Sequence, residues 1–122
     1  MVNKIQNHII YRVQDPQGRG PYRPEILDEV FSEDIKVILD SHSGDPNRPL
    51  PHMDSIGRWP LKTEICGFIS VKQALKWFPK YLLQELALYD FHLRQVKVEC
   101  ITAVSIHQCL AIKNHEEGIC QS

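Results

Sequence analysis

"EICGFISVKQALKWFPKYLLQEL", residues 64–86, decides the fold class. Its first part, "EICGFIS" (64–70), is short, β-branched and aromatic, and reads as a strand. At Ser70 the pattern changes. Ser70 stands where a helix N-cap belongs, and Gln73, three residues on, can reach back to it, as in a capping box. Val71, Ala74, Leu75 and Phe78 then recur at helical spacing. Pro79 suits the first turn of a second helix, whose inner side carries Leu82, Leu83 and Leu86.

Upstream, "SHSGDPNRPLPHMDSIGRWPLK" opens the stretch 41–63, with four prolines and two glycines. A loop of that length in a small protein is usually functional or disordered. Leu50, Met53 and Trp59 are expected to pack it onto the body. Before it, "EILDEVFSEDIKVILDS" places Ile26, Leu27, Val30, Phe31, Ile35, Ile38 and Leu39 on a helical stripe, predicting one helix with a break near Ser32. "HIIYRVQ" (8–14) predicts a strand, and "DPQG" a type I turn with Pro16 at its second position.

Downstream, "FHLRQVKVEC" and "VSIHQCLAIK" predict two closing strands. In the second, alternation puts Val104, Ile106, Gln108, Leu110 and Ile112 on one face, and Ser105, His107, Cys109 and Ala111 on the other. The tail, about 114–122, is expected to fray. The expected fold is α+β: a single small domain over 1–122, with a largely antiparallel sheet of about four strands and two to three helices.

The 122 residues, 43% of them hydrophobic and 24% charged, suffice for a real core. A formal net charge of −1 argues against strong generic nucleic-acid binding, which calls for a basic surplus. No apolar run approaches a membrane span, and the first residues carry no long apolar stretch of a signal peptide, so a cytoplasmic protein is expected. Cys66, Cys100, Cys109 and Cys120 form no C-x-x-C pair and are expected as free thiols, with no metal site.

Four groups carry candidate chemistry. Arg12, Arg19 and Arg23 fall on a strand end and the loop "GRGPYRP" after it. Arginine binds phosphate bidentately, glycine lets backbone approach a ligand, and Tyr22 offers a stacking face. The plain alternative is a turn with solvated arginines. In "NRPLPHMDSIGRW", His52 and Asp54 have the types of a base and its orienting carboxylate, beside Arg48 and Arg58. Ser70 opens a helix, where outward N–H groups favour anions, although capping already accounts for it. Gln108 is a polar residue on a predicted apolar face, either a satisfied core amide or part of a cleft wall.

"YRV…GRGPYR", "HMD" after "RPLP", "CGFISVKQALKWF" and the final "HQCLAI" together resemble a diffuse family of small phage and prophage proteins over roughly residues 9–113. More distantly the chain is similar to the small ADP-ribosyltransferase fold. That resemblance implies that Arg12 holds the nicotinamide side of NAD and that Ser70 forms the cleft wall. It also puts Gln108 where a glutamate stabilises the oxocarbenium-like transition state. A neutral amide lacks that charge, so either the cleft binds without processing or another acid such as Glu99 serves.

Two classes of function follow. One is a phage-derived binding protein that counters a bacterial defence system. It would sequester an ADP-ribose-like or cyclic nucleotide signal, or dock on a bacterial defence protein in the anti-CRISPR manner. The other is an NAD-dependent transferase. Self-association into a homodimer is compatible with both.

Overall fold

The computed structural model describes residues 8–113. Along the chain come β1 (His8–Gln14), α1 (Pro24–Glu29), α2 (Glu33–Asp40) and a 3-10 turn (Pro51–Met53). β2 (Glu64–Gly67), α3 (Val71–Trp77), α4 (Lys80–Ala87), β3 (His92–Val104) and β4 (Cys109–Lys113) follow. The strands form one antiparallel sheet in the order β1-β3-β4-β2, so the fold is α+β as expected. The expected frayed tail lies outside the described residues.

β3 organises the sheet. Its first half pairs with β1, from Gln14 opposite His92 to His8 opposite Val98, and its second half pairs with β4. Register shifts between Val98 and Cys100 and between Ile101 and Ala103 bend the strand. The bend brings the two edge strands back toward each other. They meet at one bridge, where Tyr11 N donates to Phe68 O (2.8 Å) and Phe68 N to Tyr11 O (2.7 Å). Gly67 permits this closure. A Cβ there would lie 2.7 Å from Ile10 Cδ1 and 2.8 Å from the Tyr11 carbonyl oxygen, inside any real contact.

The helices cover one face of the sheet. Their apolar stripes (Ile26, Phe31, Ile35, Leu39, Leu82, Leu86) meet Val13, Phe68 and Phe91 in the main core. Ile10, Val98, Cys109 and Ala111 form a smaller cluster, with Ile10 on the face of β1 opposite Val13.

The break expected near Ser32 divides the first helical stretch in two: Ser32 Oγ accepts from Ile35 N and caps a fresh start, with Glu33 and Asp34 favourable in that first turn. Three expectations are corrected. On α3 the inner residues are Gln73, Ala74 and Trp77, whereas Val71 is exposed. The last strand begins at Cys109, because Ser105–Gln108 is the hairpin turn. Ser105 Oγ captures the N–H groups of His107 (3.0 Å) and Gln108 (3.1 Å), which a ladder would otherwise use. Ile106 is therefore 83% exposed at the tip. Finally, Leu50, Met53 and Trp59 do not seat the long loop. All three are exposed, and polar contacts hold it instead.

Candidate functional site

Those polar contacts build a cleft. Arg48 Nε donates to Trp77 O (2.7 Å), meeting an orphan carbonyl at the end of α3, and its Nη1 pairs with Asp45 (2.6 Å). Gln108 Nε2 donates to Pro49 O (2.7 Å) and to Asp54 Oδ2 (3.0 Å), and Ser105 Oγ donates to the same oxygen (2.5 Å). Burial raises the Asp54 pKa, but these donors and Ser55 N outweigh it and hold the carboxyl ionised below its usual range. Arg58 grips Glu64 bidentately, both contacts 2.8 Å. Arg58 is the main reason the Glu64 pKa falls to about 2, against burial and with help from Leu61 N and Thr102. The loop is thus tied to β2, α3 and the hairpin.

Between the loop and the sheet lies a cleft of about 620 Å³. Its polar lining includes Arg12, Tyr22, Arg23, Arg48 and Gln108 together with two carboxylates, Asp40 and Glu64, and the His42 ring, with Trp77 and Phe78 among its apolar residues.

Arg12 is its central charge. Nη1 donates to Cys66 O (2.9 Å), Nη2 to Gly18 O (3.3 Å) and Nε to Gln14 Oε1 (3.2 Å). All three acceptors are neutral, and Arg12 takes part in no ion pair among the described residues. Two of its five N–H groups keep no partner among those residues. Burial lowers its pKa, and the nearby Arg23 charge lowers it further, so the two guanidinium groups sense each other. Across the ladder Arg12 faces Arg94, whose buried Nε lacks a hydrogen-bond partner.

Tyr22 anchors an aromatic wall. Trp77 Nε1 donates to its oxygen (2.9 Å), and that oxygen lies 2.5 Å from His42 Nδ1. Burial, with the Arg48 charge, pushes the His42 pKa down to about 4. The ring is therefore neutral at pH 7, Tyr22 donates to Nδ1, and the imidazole proton sits on Nε2. Burial also raises the Tyr22 pKa, which keeps this hydroxyl protonated. Tyr22 stacks on Phe78 with 5.9 Å between ring centroids.

The loop "GRGPYRP" is thus both a bend and a cleft border. Gly18 N closes the turn on Asp15 O, and Gly18 takes the positive φ of 84°. Asp15 accepts from Gln17 N, Arg19 N and Arg19 Nε, so Arg19 braces the turn and does not line the cleft. Arg23 lines the cleft while paired with Glu25 at 2.9 Å. Of the expected site residues, Arg12, Tyr22, Arg23 and Gln108 converge, and Arg19, His52, Asp54 and Ser70 do not line the cleft. His52 stacks on Trp59 at 3.7 Å, and its buried Nδ1 has no partner among the described residues, so no His52–Asp54 hydrogen bond forms. Glu64, Asp40, Trp77 and Phe78 are among the cleft residues that the sequence did not single out. For Glu64 a signal existed, since a carboxylate opening an apolar strand needs a cationic partner.

Among the described residues, no group of three or more His, Cys, Asp and Glu side chains is placed to hold a metal, and no helix is long and apolar enough to cross a membrane. Cys66, Cys100 and Cys109 are free thiols, and burial pushes the Cys109 pKa up to about 12. Cys120 lies outside the described residues. No curated protein and no solved structure matches the chain. The match to the bacteriophage T4 Y00F protein pattern runs over residues 2–120, nearly the whole sequence, and the chain belongs to that phage protein family.

Proposed function

We propose that this phage protein is a binding protein whose cleft captures a small anionic ligand with an aromatic or heterocyclic part, a nucleotide-like signal of a bacterial defence system. One observation carries the reading: Arg12, held by neutral acceptors and paired with no carboxylate, lines a ready-made cleft with N–H groups to spare. A guanidinium with two free N–H groups suits a phosphate oxygen. Arg23 and Arg48 also line the cleft, each paired with a carboxylate, and Tyr22, Trp77 and Phe78 supply apolar and stacking surface. Family membership supports the phage origin, and the counter-defence role is our extension of it. The transferase reading has less to support it. Ser70 caps α3 away from the cleft, and Gln108 is spent on Pro49 and Asp54.

The test is calorimetry against ADP-ribose, NAD and cyclic dinucleotides, with Arg12→Ala and Arg23→Ala beside the native protein. Heat with at least one ligand is expected, lost in Arg12→Ala and weakened in Arg23→Ala. Silence across the panel would leave docking on a protein effector as the counter-defence route and would overturn ligand capture. Nicotinamide release from NAD, abolished by Arg12→Ala, would establish a transferase instead of a binder.

A further inference from the structure

A second groove, of about 350 Å³, runs between the start of α3 and the β3–β4 hairpin. Its composition differs from that of the cleft. Lys72 and Lys76 stand one helical turn apart, both exposed, and neither enters an ion pair among the described residues. No carboxylate lines the groove. Ile69 and Ile106 lie beside the lysines, 44% and 83% exposed. In a chain of net charge −1, this is a local basic and apolar patch.

The floor is rigid. Gln73 spans it, accepting from Ile69 N (2.9 Å) and donating to Ser105 O (3.0 Å), which locks the helix to the hairpin. Ser70 Oγ accepts from Gln73 N, and its own proton has no acceptor among the described residues. The groove therefore offers two cations, two apolar side chains and one free hydroxyl donor on a fixed frame.

We infer that this groove docks an extended acidic peptide segment with an apolar side chain, its carboxylates on Lys72 and Lys76, its apolar group between Ile69 and Ile106, and a backbone carbonyl on Ser70. This site is separate from the cleft and independent of the ligand proposed for it. A protein partner with an acidic, apolar-spotted loop is the class of molecule it fits.

The probe is a blocked, fluorescein-labelled octapeptide of glutamates around a central leucine, followed by anisotropy, with the lysine-for-glutamate peptide as control. Saturable binding of the acidic peptide alone is expected, weakening as salt rises. Lys72→Glu and Lys76→Glu each place like charges face to face and should weaken it at least about tenfold. Ile106→Asp should abolish it. These side chains are exposed, so circular dichroism should show the folds unchanged. Amide shifts in two-dimensional NMR should cluster at 69–76 and 105–108. Equal binding of the lysine peptide, no saturable binding, or shifts confined to the cleft would overturn the proposal. So would a dimer in sedimentation that Ile106→Asp dissolves, since the occupant would then be a second copy.

Discussion

Gly67→Ala is the sharpest test of how the cleft is built. The added methyl would sit 2.7 Å from Ile10 Cδ1 and 2.8 Å from Tyr11 O. Neither can yield cheaply. Ile10 is fully buried, and Tyr11 O is the acceptor in the bridge that closes the sheet. Overpacking of this kind costs about 1–3 kcal/mol. Losing the Phe68 N–H bond to Tyr11 O adds about 1 kcal/mol. Reduced freedom of the unfolded chain returns about 0.4–1 kcal/mol. The net is a loss of about 1–3.5 kcal/mol, centred near about 2 kcal/mol, or roughly 10 °C in Tm for a domain of this size. Urea unfolding measures it, and hydrogen exchange at the Tyr11 and Phe68 amides localises it. Ile10→Val removes Cδ1, so the double variant should recover about 1 kcal/mol relative to additivity. Arg12 Nη1 is bonded to Cys66 O, next to Gly67, so the affinity proposed for the cleft should fall together with stability. A loss under about 0.5 kcal/mol, within ordinary surface-substitution noise, would refute the closure described for β1 and β2.

The neutral His42 makes a pH prediction. Its folded pKa lies below the unfolded one, so its contribution is present above about 6.5 and is lost as pH falls toward about 4. The His42 ring should titrate near pH 4 by NMR, and a midpoint at 6.5 would contradict its burial. Tyr22→Phe strands Trp77 Nε1 and His42 Nδ1 and should cost about 1–3 kcal/mol in denaturant unfolding. Glu64→Gln breaks the grip of Arg58, costing about 2 kcal/mol at pH 7. Glu64 contributes above pH 4.5 and loses its share as pH falls toward 2, so the difference should shrink over that window; a constant difference would count against the ion pair. Gln108→Leu frees Pro49 O and one bond to Asp54, and limited proteolysis should then nick the 41–63 loop several times faster.

The elements were legible wherever a local signal existed. "HIIYRVQ" and "EICG" announced strands by composition, Ser70 and Pro79 marked the starts of α3 and α4, and "DPQG" marked a turn. The break near Ser32 was also expected, and the structure supplies its cause, the Ser32 hydroxyl capping α2. The hairpin was misread for a definite reason. Alternation in "VSIHQCLAIK" imitates a strand, and only the hydroxyl of Ser105, bonding two amides, converts its first half into a turn. The Leu50, Met53 and Trp59 expectation failed because apolar character does not reveal whether polar anchors have already placed the loop.

Phage family character, the α+β class and the turn at Gly18 were in the sequence by itself, since the order of motifs and elements along the chain carries the first two and a few neighbouring residues carry the turn. The cleft was not. Arg12 meets Cys66 across 54 residues, Trp77 meets Tyr22 across 55, and Gln108 meets Pro49 across 59. No local rule couples such distances. The bend of β3 and the bare backbone of Gly67 do so, by folding the sheet until its two edges touch, and only then does a half-buried guanidinium face open space with neutral partners behind it.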